Sequence, residues 1–144
     1  MYIICNVTDT YLTCRDEQDF KKLYCISELK KRNSGQKIFN IETEETVAGF
    51  PDVMELVTIS AGSCTQVFFY EFKISDSSGN IKFQPTQPAF YKNNSELPIK
   101  VVAYNRLSKR VHLFRTNEIF DKSSPYYTTN ARINLCAVER EAGV

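Results

Sequence analysis

Ile99-Lys100-Val101-Val102-Ala103-Tyr104-Asn105-Arg106-Leu107-Ser108-Lys109-Arg110-Val111-His112-Leu113-Phe114-Arg115-Thr116 decides the fold, because two runs of strand-forming residues flank a polar connection. The runs Ile99 to Tyr104 and Arg110 to Thr116 predict a hairpin across a five-residue turn, Asn105 to Lys109. If Tyr104 stands opposite Arg110, Val102 meets His112 and Lys100 meets Phe114 on one surface. Ala103 with Val111 and Val101 with Leu113 then make the other, which is core. The first surface carries Lys100, Tyr104, Arg110, His112 and Phe114, with Arg106 and Lys109 in the turn, and no acidic residue lies between Leu97 and Asn117. A slip of one residue, with Tyr104 opposite Val111, mixes basic and apolar groups on both sides. The expected face therefore depends on the length of the turn.

Working outward, the chain continues in the same style. Gln66, Phe68, Tyr70, Phe72 and Ile74 alternate with Val67, Phe69, Glu71 and Lys73, and the even-numbered set after Gln66 is of core type. Ser75 to Asn80 reads as a loop to Ile81-Lys82-Phe83, and pairing Ile74 with Ile81 sets Phe72 opposite Phe83. Val53 to Ile59 is apolar on both faces, as in a central strand. Tyr2 to Val7, Tyr11 to Cys14, Lys37 to Ile41 and Ala131 to Val138 also read as strands. Pro85, Pro88 and Pro98 mark Gln84 to Leu97 as an irregular loop with room for a short edge strand near Ala89 to Lys92.

Only residues 16–33 break the pattern. Asp16, Glu17 and Asp19 open this segment, Lys30, Lys31 and Arg32 close it, and Asn33-Ser34-Gly35 stops it, which is the charge order of an α-helix. Phe20, Leu23 and Tyr24 supply its apolar patch, with Ile26 and Leu29 nearby. The fold class expected is α+β: predominantly antiparallel strands, sandwich-like or strongly curved, with one N-terminal helix. At 144 residues there is length for one domain, in which residues 1–35 form a strand, strand, helix unit and 36–144 a β-rich remainder that does not stand alone.

Composition excludes several function classes. A hydrophobic share of 42% with 24% charged residues is that of a chain with a core, not of a disordered one. Eighteen Lys and Arg against seventeen Asp and Glu leave a net charge of +1, so no global field draws the protein to nucleic acid or anionic lipid. Any electrostatic partner has to meet a local patch. No signal peptide and no apolar run of membrane length is visible, and the chain reads as cytoplasmic, or as resident in a host cytoplasm or virion if viral. Cys5, Cys14, Cys25, Cys64 and Cys136 lie no closer than nine residues apart, whereas zinc sites pair ligands two to four residues apart, so neither a metal nor a cofactor is implied.

Catalytic signatures are equally sparse. Cys64, after Ala61-Gly62-Ser63, with His112, the sole histidine, is the one pair capable of nucleophilic catalysis, and no hydrolase motif surrounds it. Asp9, Asp52, Asp76 and Asp121 sit in turns, and five glycines form no phosphate-binding loop. Candidate binding surfaces are better represented. Lys100, Tyr104, Arg106, Lys109, Arg110, His112 and Phe114 are the types that dominate protein interfaces, and Tyr126-Tyr127 with Phe90-Tyr91 offer a second aromatic surface near prolines. The simpler reading of the hairpin face is a solvated sheet surface with cross-strand pairs. The function expected is a non-enzymatic protein-protein interaction or regulatory module, of a size and style suiting a viral or phage accessory or particle-associated protein, with a protein partner and no membrane. Single-stranded nucleic-acid binding by Lys100, Tyr104, Arg106, Arg110 and Phe114 is the alternative, and a cysteine-dependent enzyme the second.

Overall fold

A computed structural model of the chain describes residues 3–6, 9–33, 37–41, 49–58, 65–116 and 132–144. In chain order these contain β1 (Ile3–Asn6), α1 (Glu17–Tyr24) with a π-helical extension (Cys25–Leu29) and a last turn (Lys30–Arg32), β2 (Ile38–Asn40), β3 (Val53–Thr58) and β4 (Thr65–Ile74). Then follow β5 (Asn80–Lys82), α2 (Thr86–Asn93), β6 (Ile99–Asn105), β7 (Arg110–Arg115), β8 (Arg132–Asn134) and α3 (Leu135–Glu141). Six strands form one sheet in the order β1-β7-β6-β4-β3-β2, antiparallel except for the parallel β4-β6 pair, and β5 with β8 makes a separate two-stranded ribbon. The class is α+β with a predominantly antiparallel sheet and an N-terminal helix, as the sequence predicts.

The helix forms where its caps and apolar spacing agree. The Asp16 backbone is extended and its carboxylate accepts the Asp19 N–H at 3.0 Å, satisfying a donor that the first turn leaves free. Phe20 and Tyr24 are four residues apart and share a face, but the next buried residue is Leu29, five further on. The π-helical stretch absorbs the extra residue, so that Leu29 rejoins the inner face, while Ile26 is 59% exposed. These side chains, with Tyr11 and Cys14, cover Val53, Tyr70, Phe72, Val102, Tyr104 and Val111 on what we term the front face of the sheet. Phe20 and Tyr24 meet Phe72 edge-on at 5.8 and 5.6 Å, contacts worth about 0.5–1.5 kcal/mol each beyond area burial. Tyr11 to Cys14, expected as a strand, instead follows a 3-10 turn at Asp9–Tyr11 and lies over this face.

The back face has its own core. Ile99, Val101, Ala103 and Phe114 pack with Ile81, Phe83, Tyr91, Ile133, Leu135 and Val138. β6 is therefore enclosed on both sides, which is why its sequence is almost continuously apolar. A parallel pair needs a crossover, and the segment between β4 and β6, carrying β5 and α2, supplies it.

That crossover corrects the expected Ile74-Ile81 hairpin. Both edges of β4 are taken, by β3 and β6, so β5 pairs with β8, and Phe72 and Phe83 end on opposite sides of the sheet. Gln84 to Leu97 holds α2 rather than an irregular loop with an edge strand. Pro85 and Pro88 both fall at its start, where a helix forgoes no internal hydrogen bond by having proline. The last expected strand is shortened to β8, because the Asn134 side chain caps α3 by accepting the Ala137 N–H at 2.8 Å. Beside it Gly79, at φ +84, leaves room for the Cys136 sulfur, which would lie 2.6 Å from an added Cβ.

Candidate functional site

The β6-β7 register is the slipped one. Tyr104 stands opposite Val111, Ala103 opposite His112, Val102 opposite Leu113 and Lys100 opposite Arg115. The strands close at Asn105-Arg110, leaving a four-residue connection with Lys109 at φ +59. Asn105 is the last residue of β6: its side chain accepts the turn's Leu107 N–H and donates to Glu139 Oε2 at 2.7 Å, and the residue is buried.

The seven predicted site residues are thereby divided. Tyr104 faces front beneath Tyr11 and Phe20 and is 2% exposed, whereas His112 and Phe114 face back, at 0% and 1%. Arg110 is half-exposed and pairs with Glu139 at 3.4 Å. Arg106 and Lys109 stay exposed in the turn, Arg106 donating to the Arg15 carbonyl at 2.7 Å. Lys100 is half-buried at the other end of β6. No shared cationic, aromatic strip exists on this hairpin. Tyr91 is buried, and Tyr126-Tyr127 and Cys64 lie outside the described residues.

Charge on the back face is enclosed and answered. Glu139 receives Asn105 and Arg110, with His112 Nε2 3.7 Å away, and burial lowers the His112 imidazole to about 4 despite that carboxylate. Neither ring nitrogen has a hydrogen-bond partner among the described residues. Under α2, the Gln87 amide donates to Glu71 at 2.7 Å and its carbonyl accepts from Lys73 at 3.0 Å. The Lys73 ammonium lies 5.1 Å from the Phe83 ring centre. Burial first, then Asp52, raises the Glu71 carboxyl to about 8. These side chains are almost wholly inaccessible, and a ligand has no way to them.

The front face is open where α1 ends. There a cleft of about 250 Å³ is lined by Arg32, Lys37, Glu55, Phe68, Tyr70 and Lys100, among others. A neighbouring cleft of about 420 Å³ shares Phe68 and Lys100 and reaches Glu96, Leu97 and Arg115. Together they make a groove running across β7, β6, β4 and β3 to Lys37, immediately before β2. Glu55 at its floor accepts the Tyr70 hydroxyl at 2.7 Å and faces Arg32 at 3.8 Å. The Lys37 ammonium donates to the Thr58 hydroxyl at 2.9 Å. Lys100 lies over the Phe68 ring at 4.4 Å, and burial, then Arg32 and Arg115, lower its amine against the opposing pull of Glu55. Among the described residues Lys100 and Arg115 have no carboxylate partner.

Four cations thus meet on one surface, of which the sequence reading named Lys100 and noted Arg32 only as part of a helix end. Lys37, Phe68 and Arg115 were missed. The acid-free span from Leu97 to Asn117 was the available signal for Arg115; nothing local marks Lys37. No family model matches the chain, and no curated protein or solved structure is detectably similar to it. Among the described residues no three His, Cys, Asp or Glu side chains gather as a metal site, and no helix is long and apolar enough to cross a membrane.

Proposed function

We propose that this chain is a non-enzymatic interaction or regulatory module that holds an acidic segment of a protein partner in the groove across the front of its sheet. The observation that carries the reading is the row Arg115, Lys100, Arg32 and Lys37 on the uncovered part of that face, opposed by Glu55 and Glu96 alone among the lining residues. Four strand spacings of about 4.8 Å give the groove a span of about 19 Å, the length of about six extended residues. The cations are spaced along the whole groove, with the Lys100 ammonium over the Phe68 ring at its middle, which suits a peptide carrying acidic groups at its centre as well as its ends.

The experiment is a titration of fluorescein-labelled acidic hexapeptides followed by anisotropy. Binding is expected to weaken with salt, to fall more than about tenfold in Lys100→Glu, and to be unchanged in Arg106→Ala, which lies about 20 Å away along β6. Equal binding by wild type and Lys100→Glu would remove the groove as the interface.

Single-stranded nucleic acid is the less favoured occupant, because base recognition without sequence needs a free aromatic face. The Phe68 face already carries the Lys100 ammonium. For a cysteine enzyme, His112 would have to act as base from a position with no exposed surface.

A further inference from the structure

We infer that the middle of this groove, at Lys100 between Arg115 and Arg32, is a subsite for a phosphomonoester carried on the partner's side chain, as in a phosphoserine or phosphothreonine segment. The inference rests on the groove reading above and specifies its ligand.

Three observations converge on it. First, Lys100 and Arg115 stand directly opposite each other on β6 and β7, a like-charge cross-strand pair that costs stability in a bare sheet. Second, Arg32 at the end of the helical segment lines the same cleft as Lys100, and Arg115 lines the adjoining one with it, so two guanidiniums share the surface with this amine. Third, the donors around it are mostly unspent. Arg32 uses one terminal nitrogen, 3.4 Å from the Tyr70 hydroxyl and 3.8 Å from Glu55, and among the described residues Arg115 has no hydrogen-bond partner. Among the described residues the Lys100 ammonium makes only its contact with the Phe68 ring.

The ligand chemistry follows from charge and shape. A single carboxylate neutralises one cation and offers two oxygens. A phosphomonoester carries about −1.5 to −2 charge at neutral pH and three acceptor oxygens, enough to face a guanidinium on each side and an ammonium beneath. Planar guanidinium forks on two sides match phosphate oxygens in pairs, and the ammonium supplies a point charge between them.

The test compares three acidic hexapeptides that differ only at the centre: phosphoserine, glutamate and serine. The phosphoserine peptide is expected to bind about tenfold more tightly than the glutamate peptide, and inorganic phosphate is expected to compete with it and to shift the Lys100 ε-methylene NMR signals. Lys100→Met should abolish the preference for phosphoserine. Arg115→Ala, at an exposed position, should reduce it as well and stands in if Lys100→Met does not fold. Equal affinity of the phosphoserine and glutamate peptides would overturn the subsite and leave the groove reading intact. Binding of none of the three would overturn both. A short single-stranded oligonucleotide binding more tightly than the phosphoserine peptide would overturn the assignment to a protein partner.

Discussion

The two faces of the central sheet handle charge in opposite ways. On the back, Glu139 gathers Asn105, Arg110 and His112, and Gln87 bridges Glu71 to Lys73, each polar group at a few per cent exposure or paired at the rim. On the front, beyond α1, Lys100 and Arg115 stand side by side with no carboxylate partner among the described residues. The back-face groups cannot be left alone, since a buried unpaired charge costs several kcal/mol. The front-face groups are in contact with water and carry little of the fold's stability, which leaves them free for recognition.

The comparison is most sharply broken at Glu139. Replacing it with Ala leaves Asn105 and Arg110 without their carboxylate beneath α3 and is expected to cost about 3 kcal/mol or more, read as a lower urea midpoint. A loss under about 1 kcal/mol would show that the network is not what holds α3 to the sheet.

A smaller effect separates the two back-face clusters by pH. His112 is lowered to about 4, so the unfolded chain takes up its proton first, and stability present above about pH 6.5 is lost as pH falls toward 4. Glu71 is raised from 4.5 to about 8, so the folded chain holds its proton longer, and stability present below about pH 4.5 is lost as pH rises toward 8. Between about pH 4.5 and 6.5 the two contributions oppose each other, so urea melts across pH 4 to 8 should show Glu71→Gln flattening the limb between 6.5 and 8 and uncovering a decline of stability as pH falls below 6.5, and His112→Asn letting stability continue to rise as pH falls toward 4.5. An unchanged alkaline limb in Glu71→Gln would refute the burial assigned to that carboxyl.

The smallest effect belongs to the front. Arg115→Ala is expected to change stability by no more than about 0.5 kcal/mol, with any gain coming from relief of its repulsion with Lys100. A loss above about 1 kcal/mol would make Arg115 a structural residue and remove the asymmetry between the faces.

The N-terminal helix was legible because its signals are local: a capping aspartate, acids before bases, and apolar residues at helical spacing. Its π-helical extension was not, since only contact with the sheet rewards bringing Leu29 to the inner face instead of Glu28. α2 was hidden by its prolines, which are helix breakers everywhere except in the first turn they occupy here. The candidate site was half legible. Lys100 was named from its run, but its neighbours Arg32, Lys37 and Phe68 come from three other elements and share no sequence pattern with it.

Residue order alone determined the class, the strands of the hairpin and the N-terminal helix, because alternation, caps and charge order act over a few positions. Which strand borders which, and which of two registers the hairpin adopts, were decided only by tertiary contacts, among them the Asn105 hydrogen bond to Glu139 some thirty residues away. A shift of one residue reverses every side chain, and neither register violates a local rule. The enclosure of His112, and the cationic groove in place of a cationic hairpin, follow from that register.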